Sequence, residues 1–136
     1  MAQALQSGVF RLVVEKSSWS NGKLPLNMSL EIKVDITGDE FEYHALNTTE
    51  STENPYRVDF RALVDGRPYP STGRGIDSVA LTRLLPDEYQ LNKTLEGTIT
   101  ACEYWRFIED NDALIKHGTM VQDGAIMAYV EYFARQ

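Results

Sequence analysis

Apolar and polar positions alternate with a period of two along most of this chain. Met28, Leu30, Ile32, Val34 and Ile36 fall on one side, and Ser29, Glu31, Lys33 and Asp35 on the other. Phe41, Tyr43 and Ala45 alternate with Glu42 and His44, and Tyr56, Val58, Phe60, Ala62 and Val64 with Arg57, Asp59 and Arg61. Successive side chains of a strand point to opposite faces, so this pattern predicts half-buried strands. Further strands are predicted over Gly8–Glu15, Asp77–Leu84, Glu88–Leu95, Thr98–Ile108, Ala113–Met120 and Ala125–Ala134. Turn formers separate them: Thr37-Gly38-Asp39-Glu40, Asp65-Gly66, Pro86 and Asp123-Gly124. Helical periodicity is nearly absent, and only the stretch from Ser17 to Leu26 has room for a short helix or an irregular crossing. Eight or nine short strands with brief connections predict an all-β antiparallel sandwich or barrel. Closure removes exposed sheet edges, which favours the barrel.

Composition narrows the function classes. The chain has 136 residues, a length that suits one domain spanning residues 1–136. Its net charge of −7 and lack of any basic run argue against a nucleic-acid surface or an anionic membrane. No apolar run approaches the length of a membrane span, and the opening MAQALQSGVF lacks the marks of a signal peptide, so a cytoplasmic protein is expected. Cys102 is the only cysteine, which leaves no intrachain disulfide. With 2 histidines far apart, no phosphate loop and no redox motif, neither a metal nor a cofactor is expected.

Several segments in order carry a family likeness. GVFRLVVEKSSWSNGKLP resembles the opening of small bacterial lipocalin-like proteins, through Gly8, Phe10, Lys16-Ser17 and Trp19. VDGRPYP is similar to that group's Asp-Gly-x-x-Tyr-Pro turn, through Asp65, Gly66, Tyr69 and Pro70. DSVALTRL, from Asp77, and the closing VEYFARQ resemble its later strands. The resemblance implies an up-and-down barrel of the calycin or fatty-acid-binding type whose cavity takes an apolar small molecule. Some relatives are isomerases, cyclases or lyases, and no shared catalytic residue transfers. The aromatic run CEYWRF and His117 depart from the group and suggest a specialised or differently packed interior. In the turn from Val64, Pro68 and Pro70 hold Tyr69 rigidly ahead of a glycine-bearing segment to Gly75, which suits a lid or a plain loop.

The candidate chemistry lies in the last strands. By analogy with fatty-acid-binding barrels, Glu131 points inward, flanked by Tyr129 and Phe133. Such a carboxyl would have a raised pKa, would repel a fatty-acid carboxylate, and would suit general acid–base work. His117 alternates with Ile115 and Ala113, and a hairpin through Asp123-Gly124 would bring it beside Glu131. His117, Glu131 and Tyr129 are therefore the catalytic candidates. His44 shares a face with Glu42 and is expected outside. Trp19, Tyr43, Tyr56, Phe60, Tyr69, Tyr104, Trp105 and Phe133 are the candidates for lining a ligand site, with Trp19 expected to plug one end. Aromatic strand residues are equally at home as ordinary core. Three functions follow: a binder of a hydrophobic, aromatic or polycyclic small molecule, a cofactor-free isomerase, cyclase or lyase, and a structural barrel filled by its own side chains. Apolar residues on both faces of the final strand would also suit a homodimer.

Overall fold

The computed structural model describes residues 4–136, so the start of the N-terminal stretch inspected for a leader lies outside the described residues. The strands are β1 (Gly8–Leu12), β2 (Ser18–Trp19), β3 (Leu30–Thr37), β4 (Glu40–Asn47), β5 (Tyr56–Leu63), β6 (Asp65–Pro70), β7 (Ser78–Leu85), β8 (Glu88–Leu95), β9 (Thr98–Ile108), β10 (Ala113–Gln122) and β11 (Ala125–Arg135). They form one antiparallel sheet in the order β5-β4-β3-β1-β11-β10-β9-β8-β7-β6, with β2 also on β11. No helix among the described residues is long and apolar enough to cross a membrane.

The sheet is a nearly closed barrel, with slightly more strands than expected. Two differences account for the count. The first predicted strand breaks at a 3₁₀ turn, Val14–Lys16, and resumes as the short β2 along β11. The segment from Asp65, expected as a rigid turn, is instead a wall strand paired with β7. Its prolines are tolerated because β6 lies at the seam, where an absent N–H costs no ladder bond. A single β-bridge among the described residues, Phe60–Ser71, joins β5 to the far edge, and the Thr72 N–H beside it donates to the Asp59 carbonyl at 3.0 Å. The hairpin between β10 and β11 turns at Asp123 and Gly124, with φ of 52° and 77°. Positive φ at both central positions matches the twist of the flanking strands.

One half of the barrel is solid. Phe41 meets Tyr89 edge-on at 5.3 Å and Trp105 at 5.8 Å, and Phe10 meets Phe107 at 5.8 Å. Ile36, Leu81, Leu114 and Phe133 close the gaps between these rings. The filled half thus holds much of the aromatic content expected to line a ligand, and buried apolar area is what stabilises it. Towards the other end the inward positions become Lys93 on β8, Glu103 on β9, Lys116 on β10 and Glu131 on β11. Above them are Leu30, Asn47 and Tyr56.

Candidate functional site

Strand alternation brings four ionisable side chains to one level of the interior. On β9, Ala101, Glu103, Trp105 and Phe107 share the inner face, and on β10 Leu114, Lys116 and Gly118 do. Glu103 is 3% exposed and Lys116 4%. A lone charge at that depth would cost several kcal/mol, so each must be paired, hydrogen-bonded or neutral.

Glu103 is the hub. One carboxylate oxygen accepts from the Trp105 indole N–H at 2.8 Å. The other accepts from the Tyr129 hydroxyl and pairs with Lys93 Nζ at 3.2 Å. Burial alone would raise its pKa, but Lys93, Lys116 and the two hydrogen bonds outweigh burial and hold it at about 2. The phenol that donates to it resists ionisation, for burial and the neighbouring carboxylate push Tyr129 well up.

Lys116 is held differently. Its Nζ donates to the Tyr43 hydroxyl at 2.6 Å and lies 4.3 Å from the Trp105 ring centre and 4.7 Å from that of Tyr43. Among the described residues it makes no ion pair. Burial lowers its pKa, and the more distant charges of Glu103 and Glu131 only partly oppose that. Glu131, directly across the β10–β11 ladder from Lys116, accepts from the Trp19 indole at 3.1 Å. Burial raises its pKa despite the neighbouring lysine.

A cavity of about 150 Å³ sits over this level. Its walls are Met28, Leu30, Tyr43, Ala45, Tyr56 and Val58, and its floor is Lys93, Glu103, Lys116 and Glu131. A mouth of about 280 Å³ adjoins it and shares Met28, Asn47 and Tyr56. The Arg74 guanidinium, from the segment after β6, lies 4.7 Å over the Tyr56 ring, and the Arg74 backbone N–H donates to the Tyr56 hydroxyl at 3.0 Å. The part of the suspected lid that reaches the mouth is therefore Arg74, while Asp65–Pro70 is barrel wall.

The site residues named from sequence divide by position. Tyr43 and Tyr56 line the cavity, Trp19 stands at the mouth, and Tyr129 and Glu131 point inward. Trp105, Phe60 and Phe133 are buried beneath or beside the floor as core. Tyr69 lies on β6, half-buried, with its hydroxyl donating to Asp65 at 3.0 Å. The inward assignment of His117 requires correction. The register places it opposite Val130, and Lys116 takes the place opposite Glu131. His117 is exposed on the outer wall, and the half-buried ring of Tyr104 lies beside it, with centroids 6.5 Å apart. The two border an outer trough of about 500 Å³ together with Ser18, Ser20 and Cys102. That trough is larger than the inner cavity but holds no buried charge, so the candidate chemistry lies inside. His44, as expected, is outside, bound to Asp59 at 2.7 Å.

Glu103, Lys116 and Lys93 were not singled out from sequence. One usable signal was Gly118, a glycine inside a strand, which marks close approach by another group. That group is Tyr129, whose ring occupies the space where a Cβ would stand.

The carboxylates make opposite contributions to acid stability. Glu103 is depressed from 4.5 to about 2, so its stabilisation is present above 4.5 and lost as pH falls towards 2. It amounts to about 3 kcal/mol. Glu131 is raised, so its contribution is complete below 4.5 and declines as it ionises at higher pH. Urea unfolding from pH 6 down to about 2 is expected to show a loss that Glu103→Gln flattens and Glu131→Gln steepens. Parallel curves for all three proteins would contradict this assignment.

No protein-family model matches this chain. No curated protein matches it either. Among solved structures, it is similar to the crystal structure of zebrafish ileal bile acid-binding protein complexed with cholic acid. The match has a TM-score of 0.62 and covers 96% of this chain and 98% of that one, at 9% identity. At that identity the likeness speaks to fold alone, and what it establishes is that this chain has a calycin-like β-barrel.

Proposed function

We propose that the barrel binds a small hydrophobic molecule bearing one ring and a hydrogen-bond-accepting group, with the ring against the cavity wall and the acceptor on the floor. One observation carries this: a cavity of about 150 Å³ has apolar walls and an ionisable floor, and joins an open mouth. A cavity of roughly that size accommodates benzene in an apolar protein interior. Ligand sites combine such walls with few polar groups that set orientation. The floor is rich in donors. Lys116 has N–H groups beyond the one given to Tyr43, the Tyr43 hydroxyl accepts and keeps its own hydrogen, and the raised pKa of Glu131 favours its protonated form. A carbonyl oxygen complements that set better than a carboxylate, which would meet Glu103. A polycyclic body fits only with its further rings in the mouth.

Cofactor-free proton transfer on the same scaffold is the second reading. It is favoured by the pair across the β10–β11 ladder, where burial pushes the lysine down and the carboxyl up. Burial that raises a carboxyl and lowers a lysine moves each towards the operating pH, which is how acid–base sites are tuned. The acid–base pair in this reading is Lys116 and Glu131, with His117 outside it.

A thermal-shift panel separates these ideas from a filled structural barrel. Acetophenone and 4-methylphenol are expected to raise the melting temperature by several degrees at millimolar concentration, as preferential binding to the folded state requires. Ala45→Leu fills the cavity from its wall and is expected to abolish the shift while leaving the fold intact. Equal shifts in both proteins would place the ligand elsewhere.

A further inference from the structure

We propose that Lys116 is a carbonyl-capturing residue, which forms an imine with a small aromatic aldehyde or ketone seated in the cavity. This rests on the binding reading above and assigns the chemical class of the ligand.

Three arrangements carry it. First, Lys116 lines the cavity, whereas Lys93, on the same floor, is engaged by Glu103 at 3.2 Å. Second, the Lys116 amine sits among the rings of Trp105, Tyr43 and Phe133 at 4.3, 4.7 and 5.0 Å, with no carboxylate bound to it among the described residues. Desolvation in such surroundings favours the neutral amine, whose lone pair is the nucleophile. The two lysines diverge accordingly: Lys116 is pushed down, while Glu103 outweighs burial at Lys93 and keeps it up. Third, Glu131 lies directly across the ladder and favours its protonated form.

The chemistry balances without a further reactant. The Nζ lone pair attacks the carbonyl carbon as the C=O π bond opens onto oxygen, and one of the two amine protons passes to that oxygen to give a neutral carbinolamine. The carbinolamine hydroxyl accepts a proton from Glu131 and leaves as water as the C=N bond forms. Nitrogen gives up its remaining proton to the Glu131 carboxylate. Amine and aldehyde thus yield imine and one water, with no change of oxidation state and the acid restored.

The test uses benzaldehyde with cyanoborohydride, which reduces an imine to a stable benzylamine, and benzyl alcohol as a ligand of similar shape that cannot condense. Intact-mass analysis of the full chain is expected to show one benzyl group, mapped by peptide sequencing to Lys116. Labelling there should be at least roughly tenfold faster than at the exposed Lys16, Lys23 and Lys33, because the free-amine fraction at neutral pH follows the depression of the pKa. Lys116→Arg, checked for folding by its melt, should fall to the surface background with Lys93 unlabelled. Stabilisation by benzyl alcohol without labelling of Lys116 would overturn the imine and leave the binding reading standing. Neither stabilisation nor labelling would overturn both, and labelling that favours the surface lysines would overturn the imine.

Discussion

Replacing Glu103 by Gln is expected to lower stability at neutral pH by about 3–5 kcal/mol, the cost of removing one partner from a buried charge network. The change is nearly isosteric, so no cavity opens, and the loss comes from charge and hydrogen bonding. Glu103 compensates Lys93 at 3.2 Å and the more deeply buried Lys116, and accepts from Trp105 and Tyr129. Without it Lys93 loses its ion-pair partner in a dry interior, and the charge of Glu103 no longer opposes the effect of burial on Lys116. The double variant Glu103→Gln/Lys116→Met removes one of the buried amines that Glu103 faces and should recover part of the loss, which a double-mutant cycle reads as coupling. Urea unfolding at pH 7 checks both. A loss below about 1 kcal/mol, the range of an exposed pair, would mean that water reaches this network.

Gly118→Ala should also destabilise, by about 1–3 kcal/mol, the range for overpacking a filled site. The sign is the informative part. Glycine inside a strand is ordinarily the poorer choice, and alanine in its place usually gains about 0.5–1 kcal/mol. Here the added Cβ would collide with the Tyr129 Cζ, Cε2 and hydroxyl. The ring cannot swing away freely, because its hydroxyl is bound to Glu103. In a Tyr129→Ala background the same substitution should cost little or give a small gain. Equal costs in both backgrounds, measured by urea unfolding, would show that the Tyr129 ring does not depend on the bare glycine.

Much of the fold could be read from alternation, because a barrel wall with a wet outside and a dry inside imposes period two on nearly every strand. That logic placed Ile32, Val34, Phe41, Val58 and Phe60 inside, where they are. It failed where both faces are apolar. Ala113, Leu114 and Ile115 open β10 with no polar partner to mark the outside, so the parity of the strand stayed open and His117 was assigned inward. Lys116 holds that place because the interior can neutralise it through Glu103, Glu131 and Tyr43, and a pattern of single residues does not display such pairing. The same blindness hid Glu103, which reads as an outward residue until its lysines and donors converge on it. At β6 the two prolines suggested a turn, while the barrel uses them at its loosest seam, where few ladder bonds are needed.

The central claim is that a small molecule enters the barrel and rests on the ionic floor. A titration of ¹⁵N-labelled protein with acetophenone, followed by amide chemical shifts, tests it most directly. The prediction is saturable movement concentrated at Ala45, Val58, Glu103, Lys116 and Glu131, absent from Ala45→Leu. Shifts confined to the outer trough around Tyr104 and His117, or no saturable shift at all, would contradict it.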